Sequence, residues 1–254
     1  MEQLIPVGPD HLWVEDSGGD GPAVLLLHPG IADSRAWEPI WPGLRATCRG
    51  IRFDVRAYGR SPAATQKYTV VDDALAVLDH LEVERAHLVG CSMGGAAAID
   101  LTVLHPARVQ SLTLLCPGVN GYPWPDEPEI EAEYERLVEA DDQEGLLQFG
   151  LREWAASGHE PIVVELMRSA GDAQSNESAF QESKAPTYDR LHEIATKAVL
   201  IVGDRDRASM IAADEAAAAR IPGCRLISMP GVDHLPMLRE PDWVLRTILE
   251  QVSS

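Results

Sequence analysis

Short apolar segments alternate with longer amphipathic segments along most of the chain. The segments AVLLLH, HLVGC and SLTLLC are apolar throughout and do not alternate between apolar and polar positions. Strands of this kind are typical of a parallel sheet, because helices cover both of its faces. Segments with helical spacing, such as VVDDALAVLDHL and GGAAAIDLTVLH, stand between the strands. The pattern predicts a doubly wound α/β fold.

The first strands of this pattern, HLWVED and AVLLLH, are separated by SGGDGP. Glycine and proline at this density favour a tight turn. We therefore expect an antiparallel hairpin between these two strands.

The alternation stops after Cys116 and resumes with the strand AVLIVGD at Ala198. The residues between are acidic and mostly of helical spacing, as in EIEAEYERLVEADDQEGLLQFGLREWAA. A structureless loop of this length is improbable in a compact domain. We predict that residues 119–197 form a helical cap inserted into a core domain made of residues 1–118 and 198–254.

The composition is that of a globular protein, and its charge limits the partners. The chain of 254 residues is 45% apolar and has a formal net charge of −19, which argues against nucleic acid or an anionic membrane as a partner. The four cysteines have no C-x-x-C spacing, so neither a zinc site nor a disulfide framework is indicated. With no export signal and no apolar stretch of about 18 residues, we expect a cytoplasmic location.

Ser92 stands in GCSMGG, between the end of an apolar strand and the start of a helix. A strand that runs directly into a helix must turn sharply, and the residue at the apex takes an unfavourable backbone conformation. Glycines two positions before and after relieve the crowding, as in the pattern G-x-S-x-G. Such a turn presents the serine hydroxyl at the helix N-terminus, where developing negative charge is stabilised. Ser92 is therefore a candidate nucleophile.

A serine nucleophile needs a base, and the base needs an acid that fixes its tautomer. The segment GDRD follows one downstream strand, and GVDH follows the next. These segments place His234 and two carboxylates, Asp204 and Asp206, past the carboxyl ends of strands. The order serine, acid, histidine is the one that this strand–turn–helix architecture uses.

Four sets of residues carry a resemblance to the α/β-hydrolase superfamily: LLLHPG, FDVRAYGRSP, GCSMGG and the pair GDRD with GVDH. Within it, the layout is similar to bacterial esterases, 3-oxoadipate enol-lactonase-like enzymes and cofactor-free haloperoxidase-like hydrolases. The resemblance implies an eight-stranded, mostly parallel sheet with a helical cap. It also implies a catalytic triad of Ser92, Asp206 and His234, the family spacing favouring Asp206 over Asp204, with no metal or organic cofactor.

The resemblance implies an oxyanion hole made by the backbone N–H of Met93 and a second N–H from the loop after LLLH. Family members usually have His-Gly there, whereas this chain has His28-Pro29-Gly30. Because proline has no N–H, the second donor is expected to be Gly30, with Ile31 as the alternative. We expect His28 to hold this loop in shape.

The expected substrate pocket includes Trp37, which follows the oxyanion loop, and Trp124 and Trp154 from the insertion. For the two insertion residues a place in the cap's own core is an equal alternative. Two residues of FDVRAYGRSP also bear on the site: Arg56 is expected to tie its loop to neighbouring backbone, and Ala57 replaces a glycine of the family pattern.

The function expected from these features is hydrolysis of a small-molecule carboxylic ester or lactone through an acyl-enzyme intermediate. A C–C bond hydrolase, a cofactor-free perhydrolase and a non-catalytic ligand-binding receptor of the same fold are the alternatives. The sequence gives no indication of the substrate's size or of the oligomeric state.

Overall fold

A computed structural model describes residues 1–177, 179–183 and 185–253. Within these residues one sheet of eight strands runs through the molecule. The strands are β1 (Glu2–Val7), β2 (Asp10–Asp16), β3 (Ala23–Leu27), β4 (Arg49–Phe53), β5 (Ala86–Cys91), β6 (Val109–Leu115), β7 (Ala198–Gly203) and β8 (Arg225–Met229). Their order across the sheet is β1-β2-β4-β3-β5-β6-β7-β8.

The sheet is parallel from β4 to β8, and its antiparallel part is confined to one edge, where β2 pairs with β1 and β4. The predicted eight-stranded, mostly parallel sheet is confirmed. The predicted hairpin between β2 and β3 is wrong, because β4 lies between these two strands. The reason is burial: β3 is apolar throughout, and a place between β4 and β5 covers both of its faces. The hairpin partner of β2 is β1, through a turn at Gly8 with φ +61°.

The helices of the described residues flank the sheet and fill the long connection between β6 and β7. They are α1 (Trp41–Leu44), α2 (Val70–His80), α3 (Met93–Leu104), α4 (Pro128–Glu139), α5 (Gln143–Trp154), α6 (Pro161–Glu177), α7 (Ala208–Arg220), α8 (Pro236–Arg239) and α9 (Pro241–Val252). The N-terminus of α2 is capped by Thr69, whose hydroxyl accepts a hydrogen bond from the Asp72 N–H (3.1 Å). None of the described helices combines the length and the apolar character that a membrane span requires.

The core has two parts, one on each face of the sheet. Successive residues of β3 alternate between them: Leu25 and Leu27 pack on one side, and Val24 and Leu26 on the other. This follows from the two-residue repeat of a strand. Helix α3 runs against β5 and is apolar on nearly all sides, so it is almost entirely buried.

The connection between β6 and β7 contains α4, α5 and α6 and a 3₁₀ turn at Tyr188–Glu193. The insertion is therefore helical, as the sequence pattern indicates. The division into a core domain and a cap at residues 119 and 197 stays a prediction.

The loop after β4 differs from the expectation at Arg56. Its guanidinium binds two buried carboxylates, not backbone: Asp73 (2.7 and 2.9 Å) and Asp10. The next residue, Ala57, has φ +64°, the left-handed conformation that favours glycine. The loop thus keeps the conformation of a glycine position and tolerates a methyl group there.

Candidate active site

Ser92 occupies the sharp turn between β5 and α3, with φ +50° and ψ −115°. A positive φ is unfavourable for a residue with a side chain. The turn is possible because of its glycines: a Cβ on Gly90 would overlap the carbonyl of Gly94, and a Cβ on Gly94 would overlap the carbonyl of Leu27. The half-buried serine thus lies at the carboxyl edge of the parallel sheet and at the N-terminus of α3.

His234 and Asp206 form a buried hydrogen-bonded pair in the loops after β8 and β7. The distance from His234 Nδ1 to Asp206 Oδ2 is 2.7 Å, and the imidazole is 1% exposed. Asp206 Oδ1 accepts a second hydrogen bond from the Arg207 N–H (2.8 Å). A carboxylate at Nδ1 accepts the proton of that nitrogen, which leaves Nε2 as the basic nitrogen. The pair therefore has the acid–imidazole arrangement that a general base requires.

Asp204, the alternative candidate for the acid of the triad, has a different hydrogen-bond partner. Its exposed side chain accepts a hydrogen bond from the N–H of Gly231 (2.6 Å) and so closes a turn between the loops after β7 and β8. The geometry places Asp206, and not Asp204, against the imidazole.

The residue before the histidine, Asp233, anchors its loop. The side chain is fully buried and accepts hydrogen bonds from Arg239 (2.8 to 3.1 Å) and from the N–H of Leu235 (3.1 Å). It also accepts the N–H of Ser157 (2.9 Å), which belongs to the long connection between β6 and β7. The loop that carries His234 is therefore tied to the helical insertion.

The residues expected to form the oxyanion hole lie together beside Ser92. A Cβ on Gly30 would stand 3.6 Å from the Met93 side chain, so the loop after β3 is in van der Waals range of the start of α3. The Gly30 carbonyl accepts a hydrogen bond from Gln174 Nε2 (2.7 Å). The N–H groups of a helix's first turn have no partner within the helix, so the Met93 amide is available to a ligand. Ile31 lines the same cavity, and the choice between Gly30 and Ile31 stays open.

His28 fixes the shape of this loop. Its Nε2 accepts a hydrogen bond from the Val55 N–H (3.0 Å), so Nδ1 carries the proton and donates to the Pro29 carbonyl (2.9 Å). One bond lies within this loop and the other reaches the loop after β4, so His28 has the position of a structural residue.

Ser92 and His234 both line one cavity of about 1090 Å³, which lies between the sheet edge and the helical insertion. Trp124 and Trp154 line it too, as expected, together with Phe149. Trp37 does not, and this part of the expectation is corrected. Its side chain is fully buried in the core on one face of the sheet, because the 3₁₀ turn Ser34–Trp37 directs it inward.

Two contacts at the site are not evident from the sequence. The ring of Trp154 lies 4.6 Å from the imidazole of His234, centroid to centroid, and the Arg207 guanidinium lies 4.9 Å from the same indole. Arg207 also forms ion pairs with Glu127 and Glu153 (3.7 Å) of the insertion. In the sequence, the only indication that Arg207 lies at the site is its position next to Asp206. The contacts of Trp154 depend on how the insertion packs over the sheet, which the sequence does not show.

The cysteines near the site have the environment of neutral thiols. Burial raises the pKa of Cys91 and of Cys116 well above the ordinary value, so both thiols are protonated at neutral pH. Cys116 Sγ lies within 4.8 Å of ligand atoms of Asp206 and His234. A metal would need a thiolate, whereas burial keeps Cys116 protonated, and Asp206 Oδ2 is already bonded to His234 Nδ1. This donor set fits a hydrogen-bonded pair beside a thiol better than a metal centre.

Comparison with known proteins identifies the family. Residues 24–247 match the alpha/beta hydrolase family, so the chain belongs to that family. It is 25% identical to the 3-oxoadipate enol-lactonase 1 of Acinetobacter baylyi over 88% of this chain and 85% of that protein. It is 38% identical to the 2-hydroxymuconate semialdehyde hydrolase of Pseudomonas sp. (strain CF600), over 40% of this chain. This chain spans only 38% of the length of that hydrolase, and only 29% of the length of another relative that is also 38% identical.

A solved structure shares the whole fold. The enol-lactonase from Burkholderia xenovorans LB400 superimposes with a TM-score of 0.82 at 24% identity, covering 99% of this chain and 100% of that one. At this identity the similarity establishes the architecture, and the activity has to be argued from the site.

Proposed function

We propose that this protein is a serine hydrolase that cleaves a carboxylic ester or lactone through an acyl-enzyme intermediate. The observation that carries the proposal is the buried Asp206–His234 pair, with its 2.7 Å hydrogen bond, in the cavity that Ser92 also lines. The similarity over most of the chain to an enol-lactonase supports the same chemistry.

In this mechanism the Ser92 hydroxyl attacks the substrate carbonyl while His234 Nε2 takes its proton. Asp206 holds the imidazole in the required tautomer and stabilises its positive charge. The negative charge that develops on the carbonyl oxygen is bound by the N–H groups of Met93 and Gly30. Each such donor contributes about 3 kcal/mol of transition-state stabilisation.

The imidazolium then protonates the leaving alkoxide, and the acyl group stays on Ser92. A water molecule, deprotonated by His234, attacks this acyl-enzyme and releases the acid. In this mechanism the helices of residues 119–197 form the cap that covers the acyl group. Because the net charge is −19, we expect a small-molecule substrate and not nucleic acid or a membrane as a partner. We also expect the protein to act in the cytoplasm.

The test is covalent labelling with a fluorophosphonate together with hydrolysis of p-nitrophenyl acetate. We expect the label on the peptide that contains Ser92, and loss of at least 10³-fold in kcat/KM in Ser92→Ala. Ser253→Ala, at the end of α9, serves as the matched control and should label and hydrolyse as the wild type does. Equal activity of Ser92→Ala and the control would refute the proposal. An unlabelled wild type would favour the receptor alternative.

A second candidate is hydrolysis of a C–C bond, which the similarity to 2-hydroxymuconate semialdehyde hydrolase favours over part of the chain. The same three side chains would serve it. Turnover of a vinylogous β-diketone acid at a rate above that of any ester in a graded panel would establish this second candidate. Peroxide-dependent bromination, assayed in parallel, would identify a perhydrolase.

A further inference from the structure

Among the described charged side chains of the cavity that contains Ser92, acids outnumber bases. Its described lining includes four carboxylates and, apart from His234, one basic side chain: Asp100, Asp141, Asp172 and Glu182 against Arg168. The acids come from α3 and from the insertion, so they surround the cavity on more than one side.

Asp100 is the deepest of these carboxylates. It lies on α3, about two turns after Ser92, and is 1% exposed. Oδ1 accepts a hydrogen bond from the Thr187 hydroxyl (2.5 Å), and Oδ2 accepts one from Asn120 Nδ2 (2.7 Å). Burial raises the pKa of Asp100, and these two hydrogen bonds oppose the rise. Both donors are neutral, so they satisfy the carboxylate oxygens without supplying a positive charge.

The basic groups near the cavity mouth are held by other carboxylates. Arg168 Nη2 lies 2.9 Å from Glu144 Oε2, and both side chains are more than half exposed. Lys67 forms an ion pair with Glu182. A substrate carboxylate would therefore have to compete with an existing partner for either cation.

Much of the cavity wall is apolar, with Val119, Leu147 and Met167 among its residues. Moving a carboxylate from water to such a wall is costly unless a cation receives it. Repulsion between a substrate carboxylate and the carboxylates of the cavity adds to this free-energy cost, and like-charge contacts of this kind disfavour the binding of the wrong substrate. An uncharged substrate of the same size meets neither penalty.

We infer that this cavity selects uncharged esters or lactones and discriminates against substrates that carry a carboxylate. The inference rests on the proposed ester hydrolysis and adds the charge of the substrate to it. Discrimination comes from Asp100 within the cavity and from the exposed Asp141 at its mouth, since the charge of Glu182 is offset by Lys67.

The test uses two p-nitrophenyl esters of equal length, one derived from adipic acid and one from its monoamide. The first ends in a carboxylate and the second in a carboxamide of nearly the same shape. We expect kcat/KM to be at least 10-fold higher for the carboxamide at pH 7.5 and low ionic strength, after division by the rate of alkaline hydrolysis. The preference should shrink as salt is added, since salt screens the charges at the mouth.

Asp100→Asn removes the carboxylate charge and keeps the shape of the side chain. We expect it to lower the ratio of kcat/KM for the carboxamide ester to that for the carboxylate ester at least threefold. Asp141→Asn is a second variant, at an exposed position with φ +51° that asparagine adopts readily; we expect a narrowing of about twofold. Asp20→Asn, in the exposed loop between β2 and β3, changes the net charge equally and should leave the preference intact.

Three results would overturn the inference: equal rates for the two esters, faster hydrolysis of the carboxylate ester, or an unchanged preference in both cavity variants. These results differ from a failure of the proposed function. If the wild type hydrolyses neither ester above the rate of Ser92→Ala, ester hydrolysis itself is refuted, and the inference falls with it.

Discussion

The indole of Trp154 packs against the imidazole of His234, with ring centroids 4.6 Å apart and an angle of 48° between the planes. Trp154 is the last residue of α5 in the insertion, and His234 follows β8, so the contact joins two distant parts of the chain. On the indole, Arg207 adds a cation–π contact at 4.9 Å. The insertion thus touches the histidine and the residue that follows its acid partner.

Removal of the indole should reduce activity. An aromatic pair contributes about 0.5–1.5 kcal/mol beyond its buried area, and 1.36 kcal/mol corresponds to a tenfold change in rate. We expect Trp154→Ala to lower kcat/KM for an ester roughly 2- to 10-fold, whereas Trp154→Phe keeps a ring and stays within about twofold of the wild type. Steady-state kinetics on both variants check this. Equal losses in the two variants would show that the ring contact with His234 is not what matters.

The two neighbouring acids provide a matched pair for the base. Asp206→Asn disrupts the hydrogen bond that fixes the tautomer of His234, and we expect a fall in kcat of roughly 10³- to 10⁴-fold. Asp204→Asn keeps an oxygen that can accept the Gly231 N–H, and it should change kcat less than about threefold. The measurement is kcat on a single ester at pH 7.5. A larger effect at residue 204 than at residue 206 would overturn the assignment of the acid.

A glycine at residue 57 should stabilise the protein. The left-handed conformation of Ala57 costs roughly 1–2 kcal/mol, and the greater freedom of glycine in the unfolded chain cancels part of that gain. We expect Ala57→Gly to raise the free energy of unfolding by about 0.5–1 kcal/mol. Chemical denaturation measures it.

Gly59 is the control for this substitution. It also has a positive φ, +51°, but a Cβ there would overlap the buried carboxylate of Asp54. We therefore expect Gly59→Ala to destabilise the protein by more than about 1 kcal/mol. If Ala57→Gly also lowers stability, the loop is not strained at residue 57.

Asp214 on α7 should make stability depend on pH. It is fully buried, and neither carboxylate oxygen has a hydrogen-bond partner among the described residues. Burial, with a contribution from the charge of Asp206, raises its pKa well above the ordinary value. Above a pH of about 4, where the unfolded carboxyl ionises, the folded state holds a proton that the unfolded state has lost. Stability contributed by this group therefore falls as pH rises towards the folded pKa.

Asp214→Asn has no such proton, so its stability relative to the wild type should increase between pH 5 and pH 8. Urea denaturation at several pH values measures the difference, with the exposed Asp20→Asn as control. A constant difference across this range would mean that Asp214 does not titrate as inferred.

The sequence pattern located most of the strands and the helices around Ser92, because fully apolar segments have few places in a folded protein other than a sheet interior. It missed β1, whose sequence EQLIPV mixes polar and apolar positions and lies at the sheet edge. It misplaced the partner of β2, because turn residues indicate that the chain turns and not which strand it pairs with. Trp37 was misassigned for a related reason, since its distance from Gly30 along the chain does not fix the direction of its side chain.

Local sequence was enough for the turn at Ser92, since close packing within the turn requires Gly90 and Gly94. It was also enough to bring Asp206 and His234 to the edge of the sheet where Ser92 lies, because parallel strands end at a common edge. The family spacing favoured Asp206 over Asp204 as the acid, and tertiary structure alone decided where Trp154 and Arg207 lie and which charged side chains line the cavity. Those features arise where distant segments pack together, and spacing along one chain does not specify the orientation of that packing.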